Sequence, residues 1–239
     1  MGEAWVASVA GSDPGMRGGL QTDAWVAKAL DCNFSPIVAV ETLQDEAGLQ
    51  DVTLVPVSAV EAGLRSALNE GVGAVKLGAL GSRDTVQAVV RVLSDFPATP
   101  VIWDPVCAAS KTADPSALLL NQAGRDEALS SLLCHLTLAT PNLVEFGDGS
   151  EWGDCAAVLV TGGHGKEAVV SDRLLRRGAP VLTLQAERTP GGEDVHGTGC
   201  ALSTAISCFI AQGYSLESAV REAVAKVREW LRTGFFLTR

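Results

Sequence analysis

Short apolar runs alternate along the chain with segments in which apolar residues recur at helical spacing. This alternation predicts parallel β-strands joined by helices that cover both faces of one sheet. The runs predicted as strands are residues 5–10, 36–40, 74–77, 101–103, 136–139 and 157–160. The segments predicted as helices between them are residues 20–30, 57–70, 84–93 and 126–135.

The pattern changes after residue 162. Apolar groups at 168–170, 173–175 and 181–184 are short and are broken by Gly and Pro, which predicts a small antiparallel meander at the sheet edge. Two further helical segments follow at residues 199–212 and 216–233. No repeat or linker composition interrupts the pattern. We therefore expect residues 1–239 to form a single α/β domain, a three-layer αβα sandwich with a mostly parallel central sheet.

Two local signals refine these bounds. Ser58 followed by Glu61 has the spacing of a capping box, so Ser58 is the predicted N-cap of the second helix. Residues 146–157 are rich in Gly and Asp, which predicts a loop.

Composition narrows the class of partner and compartment. The chain carries 18 Lys and Arg against 28 Asp and Glu, a formal net charge of −10, which argues against nucleic acid or an anionic membrane as a partner. Six cysteines occur without a C-x-x-C pair, so neither a zinc site nor a disulfide framework is expected. The first residues lack the layout of a signal peptide, and no uncharged apolar run is long enough to span a bilayer. These features predict a cytoplasmic protein.

Polar residues and glycines cluster where the predicted parallel strands end. The carboxyl ends of parallel strands share one edge of the sheet, and ligands bind there. We therefore expect one site at this edge, built from residues that follow successive strands. They are Gly11, Gln44, Lys76, Asp104, Asn142, Glu145, Thr161 and Gly163.

The most informative segment is Gly197-Thr198-Gly199-Cys200, which opens an apolar helical run. The two glycines allow a tight turn and a close approach to a ligand. The first N–H groups of the helix have no partner within it, and together with the helix dipole they favour a phosphate. A thiol in the first helical turn is biased toward thiolate, so Cys200 is a candidate proton acceptor beside that phosphate. This combination predicts phosphoryl transfer.

Seven segments taken together resemble the hydroxymethylpyrimidine/phosphomethylpyrimidine kinases of thiamine biosynthesis, a family of the ribokinase-like superfamily. The final motif is the most specific, because most ribokinase-like enzymes end it in Asp rather than Cys. The matching segments are residues 10–14, Gln21 with Asp23, 76–78, 104–106, 140–145, 162–164 and 196–200.

The resemblance implies ATP-dependent phosphorylation of a hydroxymethyl group on a pyrimidine, and then of its phosphate ester, by a homodimer. It implies that Gly197, Thr198 and Gly199 hold the transferring phosphoryl group, with Cys200 at the position of the catalytic base. Residues at positions that contact the pyrimidine are Gly11, Asp23, Gln44, Ala79 and Val106. Residues at nucleotide positions are Lys76, Asp104, Asn142, Thr161 and Gly163, with Glu145 and Asp104 supporting Mg²⁺.

The sequence departs from the family pattern at several positions. Thr161 replaces a lysine near the nucleotide phosphates, and the candidate replacement cations are Lys76, Lys166 and Arg17. Met16-Arg17 alters a loop near the substrate, Ala79 stands where a methionine is common, and Asp45-Glu46 adds acid. Two alternatives therefore stay open: a pyridoxal or pyridoxine kinase, and a weakly catalytic pyrimidine-binding homologue.

Overall fold

The computed structural model describes residues 3–12, 18–45, 48–106, 119–163, 167–192 and 195–234. Within these residues one sheet contains β1 (Trp5–Ser12), β2 (Asn33–Asp45), β3 (Gly48–Leu54), β4 (Ala74–Leu77), β5 (Val101–Trp103), β6 (Leu138–Ala139), β7 (Ala157–Val160), β8 (Val169–Arg176) and β9 (Leu182–Glu187). The helices are α1 (Gly19–Ala29), α2 (Val57–Asn69), α3 (Arg83–Asp95), α4 (Gln122–Glu127), α5 (Leu143–Phe146), α6 (Thr198–Ala211) and α7 (Leu216–Thr233).

The strand order is β3-β2-β1-β4-β5-β6-β7-β8-β9. Strands β2 to β7 in this order run parallel, whereas β3 at one edge and β8 and β9 at the other are antiparallel. The connection after β1 leads to β2 on one side, whereas the connection after the neighbouring strand β4 leads to β5 on the other side, so a crevice opens outside the carboxyl ends of β1 and β4. The fold thus positions a ligand site before any side chain is considered.

Apolar side chains fill both faces of the sheet. On one face, Val60 of α2 and Val86 of α3 belong to one buried cluster with Val9 and Leu77 of the strands. On the other face, α1, α6 and α7 pack against the same sheet through a second cluster that includes Ile206. The three-layer sandwich predicted from the alternating pattern is therefore confirmed.

A β-hairpin formed by β2 and β3 was missed by the sequence prediction. The second predicted strand, 36–40, extends to residue 45 and turns back into β3, with Val40 opposite Leu54. Leu43 and Leu54 on this hairpin are 62% and 48% exposed. The hairpin therefore stands partly away from the core, which is why its sequence lacks the uninterrupted apolar run of a central strand.

Two helical predictions were wrong in detail. The N-cap of α2 is Pro56, not Ser58, and no side chain caps this helix. The segment predicted as one helix at 126–135 begins earlier, as α4, and then changes its winding to a π-helical turn over Ala128–Leu132 and a 3₁₀ turn over Leu133–His135.

The antiparallel edge is more regular than predicted, because the apolar groups at 168–170 and 173–175 belong to one strand, β8. In the described part of the chain, no helix has both the length and the apolarity needed to cross a lipid bilayer.

Candidate active site

A small cavity of about 50 Å³ lies at the carboxyl ends of β1 and β4. Its lining includes three residues predicted to contact a substrate, together with a predicted nucleotide-binding residue and the predicted catalytic base. They are Gly11, Ala79 and Val106, with Lys76 and Cys200. Thr42, which the sequence analysis did not single out, also lines the cavity and donates from its hydroxyl to the Ser12 carbonyl at 3.0 Å.

A glycine turn opens α6 beside this cavity. Gly197 is the N-cap and has a φ of 80°, in the left-handed region that favours glycine, and no side chain caps the helix. The Gly197 carbonyl accepts from the Ala201 N–H at 2.9 Å, so the helix is regular from its first turn. The N–H groups of Thr198, Gly199 and Cys200 precede the first possible intrahelical bond and are available at this end. The local geometry is that of an anion site.

A buried ion pair lies beneath the cavity. Lys76 Nζ is 2.9 Å from Asp23 Oδ2, and both side chains have 0% exposure. Asp23 also accepts from Ser8 Oγ at 2.7 Å and from Thr204 Oγ1 at 2.7 Å. Asp23 does not line the cavity, so in this structure its carboxylate acts on Lys76, and its contact with a pyrimidine stays a prediction.

Burial also shifts the pKa values of the ionisable groups that line the cavity. Burial opposes the ammonium of Lys76, but the acidic groups around it, Asp23 foremost and then Cys200 and Asp104, together outweigh burial and raise the pKa of Lys76 above its usual value. Burial raises the pKa of the Cys200 thiol to about 12, against the opposing effect of Lys76. The expectation that Cys200 is biased toward thiolate was therefore wrong, because desolvation outweighs the helix terminus at this position.

Asp104 connects the helix terminus to the ion pair. It follows β5, and burial raises its pKa, although Lys76 acts in the opposite direction. Ser203 Oγ lies 3.5 Å from Asp104 Oδ2, and a Cβ built at Gly199 would lie 3.7 Å from the same oxygen. Ser203 and Thr204 follow Gly199 and Cys200 by four residues, so they share a helix face with them. That spacing of polar residues in an apolar helix was the signal that could have identified them.

A second group of predicted residues lies at the ends of β6 and β7. Asn142 is the N-cap of α5 and forms a capping box with Glu145, whose Oε2 accepts from the Asn142 N–H at 2.9 Å. Asn142 pairs in parallel with Thr161, and the Thr161 N–H donates to the Pro141 carbonyl at 2.9 Å. The structure therefore brings together three of the residues predicted to bind the nucleotide or its metal.

The turn after β7 is fixed from the antiparallel edge. The Gly162 N–H donates to Asp172 Oδ1 at 2.9 Å, and Asp172 Oδ2 accepts from Arg228 of α7 at 3.0 Å. A Cβ built at Gly162 would overlap the Ser171 carbonyl, whereas a Cβ at Gly163 would meet open space. Only glycine therefore allows residue 162 to lie this close to β8.

The donor set at this edge fits a hydrated magnesium ion. Among the described residues, no three His, Cys, Asp or Glu side chains converge as a metal cage. Mg²⁺ needs none, because it retains several waters and takes one or two carboxylates together with substrate phosphates. The carboxylate of Glu145 and the amide oxygen of Asn142 are hard ligands of the required type.

The remaining predicted residues and a second cavity lie elsewhere in the chain. Gln44 lies in β2, where its backbone is paired with Leu49. Met16, Arg17, Glu46 and Lys166 lie outside the described residues. A larger cavity of about 440 Å³ is at the opposite edge of the sheet and contains none of the predicted site residues. Five of the predicted residues instead line the smaller cavity at the carboxyl-terminal edge.

Solved structures share this architecture. A pyridoxal kinase from Staphylococcus aureus in complex with AMP-PCP superposes with a TM-score of 0.82 at 24% identity, covering 97% of this chain and 89% of that chain. A phosphomethylpyrimidine kinase from Clostridium difficile superposes with a TM-score of 0.76 at 20% identity, covering 95% and 99%. The fold is therefore ribokinase-like.

The sequence comparisons give the family. The profile of the family described as phosphomethylpyrimidine kinase matches residues 13–148 and 150–239, and the chain belongs to this family. A hydroxymethylpyrimidine/phosphomethylpyrimidine kinase from Streptomyces coelicolor is 34% identical over 248 residues, which cover 96% of this chain and 89% of the relative. One from Mycobacterium bovis is 32% identical over 258 residues, covering 98% and 90%.

Proposed function

We propose that the protein transfers the γ-phosphoryl group of ATP to the hydroxymethyl group of hydroxymethylpyrimidine, and then phosphorylates the resulting monophosphate, as a step in thiamine biosynthesis. One observation carries the proposal beyond family membership. The glycine turn that opens α6 lies beside the cavity lined by Gly11, Lys76 and Cys200. An acceptor hydroxyl in this cavity would therefore be next to an anion site, as in-line phosphoryl transfer requires.

The residues around the cavity have different roles in the proposed transfer. The N–H groups at 198–200 bind the equatorial oxygens of the transferring group, and Lys76 adds positive charge from below. Cys200 is a neutral thiol, with its pKa raised to about 12 by burial. Phosphoryl transfer depends mainly on positioning and charge neutralisation, so the hydroxyl proton can leave late. It passes to the sulfur of Cys200 in the thiolate form, which the positive charge of Lys76 favours.

The nucleotide part of the proposal rests on the second group. Asn142, Glu145 and Asp104 would hold Mg²⁺, with Thr161 and Gly163 beside the phosphates. The ion supplies charge neutralisation on the β- and γ-phosphates when it is bound. The residues contribute hard oxygen donors on a capped helix start and on a turn fixed by Asp172.

A substrate comparison tests the proposal. The purified protein is incubated with MgATP and hydroxymethylpyrimidine, its monophosphate or pyridoxal, and products are measured by mass spectrometry. We expect both pyrimidine substrates to be phosphorylated. Cys200→Ala should abolish most turnover, whereas Cys208→Ala, a buried thiol two turns further along α6, should retain it. Turnover of pyridoxal alone would assign a pyridoxal kinase, and stabilisation by the pyrimidine without transfer would assign a binding protein.

We further propose that residues 1–239 act as one catalytic domain, that two copies form a homodimer and that the protein works in the cytoplasm. The exposed Leu43 and Leu54 of the β2–β3 hairpin support the dimer, because paired chains would cover them. The described cysteines 32, 134, 155, 200 and 208 are all free thiols, as expected in a reducing compartment. Light scattering of the wild-type protein and of Leu43→Lys tests the dimer: dissociation of the variant is expected, and a monomeric wild type would contradict it.

A further inference from the structure

Arg188 places a guanidinium group directly on the turn that follows β7. Its Nη1 donates to the Gly163 carbonyl at 2.8 Å, and its Nε donates to the Glu167 carbonyl at 2.9 Å. Its backbone N–H donates to the Ala168 carbonyl at 2.8 Å, which continues the pairing of β8 with β9. Two side-chain bonds and one backbone bond therefore fix the position of this cation.

The third nitrogen of the same guanidinium, Nη2, differs from the other two in its hydrogen bonding. Arg188 Nη2 is buried and has no hydrogen-bond partner in the part of the chain that the structure describes. A buried donor without an acceptor is costly, and more so when it is charged. Arg188 Nε and Nη1 already donate to backbone carbonyls. The N–H groups of Nη2 therefore remain as donors for an acceptor that a ligand would supply.

The surroundings indicate which kind of ligand. Gly163 follows Thr161 by two residues, roughly 7 Å of extended chain, and Thr161 pairs with Asn142. The segment that begins at Arg188 leads into the glycine turn at Gly197. Arg188 therefore contacts the turn that carries Thr161 and Gly163, the residues proposed to lie beside the nucleotide phosphates.

The nearby described charges do not neutralise Arg188. Glu167, the acid closest in sequence to this turn, contacts Arg188 through its backbone carbonyl. Asp172 already accepts from the Gly162 N–H and from Arg228. Glu145 accepts from the Asn142 N–H within its capping box. A guanidinium is always charged and presents its donors in a planar fork that matches phosphate oxygens.

We infer that Arg188 binds the polyphosphate of the nucleotide donor, in place of a cation at residue 161. This inference rests on the proposed function. Lys76 does not fill the role, because it has 0% exposure, is paired with Asp23 and lines the substrate cavity. Thr161 carries no charge. Within the part of the chain that the structure describes, Arg188 is the cation whose side chain donates a hydrogen bond to the 161–163 turn.

Calorimetric titration with AMP-PCP and with AMP tests the inference, since only the first has the β- and γ-phosphates. We expect Arg188→Met to bind AMP-PCP about 10- to 100-fold more weakly, the range for a lost charge-assisted hydrogen bond, with AMP affinity changed less than about twofold. Thr161→Lys introduced into Arg188→Met should recover most of the AMP-PCP affinity. The matched control is Arg177→Met, since Arg177 donates to the Gly153 carbonyl at 2.7 Å at the opposite edge of the sheet.

Two results would overturn the inference. Unchanged AMP-PCP affinity in Arg188→Met would show that the guanidinium does not contact the polyphosphate. Equal losses for AMP-PCP and AMP would show that it only shapes the turn. Failure of the proposed function is distinguishable, because it shows in the substrate comparison with the wild-type protein, whereas this inference depends on how Arg188→Met changes the affinity for AMP-PCP.

Discussion

The buried Lys76–Asp23 pair gives the strongest stability prediction. Both side chains have 0% exposure and their charged atoms are 2.9 Å apart. Lys76→Met retains the length of the side chain but leaves the Asp23 carboxylate buried with only two hydroxyl donors, Ser8 and Thr204. Removing one partner of such a pair costs about 3–5 kcal/mol. For a domain of this size that corresponds to a fall in melting temperature of about 6–20 °C.

A double-mutant cycle measured by urea unfolding separates the pair from general damage to the core. Asp23→Asn keeps an acceptor for the two hydroxyls but leaves the ammonium unpaired, so its cost should be similar to that of Lys76→Met. The double variant removes both charges and should cost clearly less than the sum of the single changes.

The control is an exposed pair of similar geometry. Arg65 lies 2.8 Å from Asp95 with side-chain exposures of 39% and 57%, and Arg65→Met should cost less than about 1 kcal/mol. The reasoning is refuted if Lys76→Met costs no more than Arg65→Met, or if the two single changes at the buried pair add without coupling.

Three further predictions concern the two halves of the site. Alkylation of Cys200 by iodoacetamide should accelerate about tenfold per pH unit from pH 8 to 10, because a pKa of about 12 keeps the thiolate fraction proportional to the hydroxide concentration. Peptide mass spectrometry measures the rate of alkylation, and a rate that stops rising by pH 9 would contradict the prediction. Gly162→Ala should lower stability to urea by about 1–3 kcal/mol, because the new Cβ overlaps the Ser171 carbonyl, while Gly163→Ala, which meets open space, should change it by less than about 0.5 kcal/mol. Asn142→Ala removes the capping box of α5, so it should cost about 1 kcal/mol and raise the KM for ATP; steady-state kinetics with an unchanged KM would remove Asn142 from the nucleotide site.

The layered fold could be predicted because its signal is local and repeated. Each central strand is a short apolar run with a helix-spaced segment after it, and burial on both faces makes that pattern strong. The β2–β3 hairpin was missed because it is partly exposed and has no such run. Strand β8 was divided in the prediction because Ser171-Asp172 has the composition of a turn. Asp172 is instead a buried acceptor for Arg228, and a partner 56 residues away leaves no local signal.

For the candidate site, too, the sequence could predict some properties and not others. Which residues meet at the sheet edge follows from where strands end, so the sequence could place Gly11, Lys76 and Cys200 at a common edge. Their electrostatics could not be predicted, because desolvation depends on what covers a group. The helix-terminus rule alone indicated a thiolate at Cys200, whereas burial keeps the thiol protonated. Arg188 was missed because nothing in its own segment indicates that it reaches the turn after β7.

The crevice above β1 and β4 results from the strand order, because the connection after β1 and the connection after β4 lead to opposite sides of the sheet. Ala79 and Val106 only form its walls. Exchanging them for larger or smaller apolar residues would alter the shape available to a ring while leaving the crossovers, and therefore the hollow itself, in place. Proteins with this topology can therefore change which aromatic alcohol they bind through substitutions at the cavity lining, while the position of the binding site stays the same.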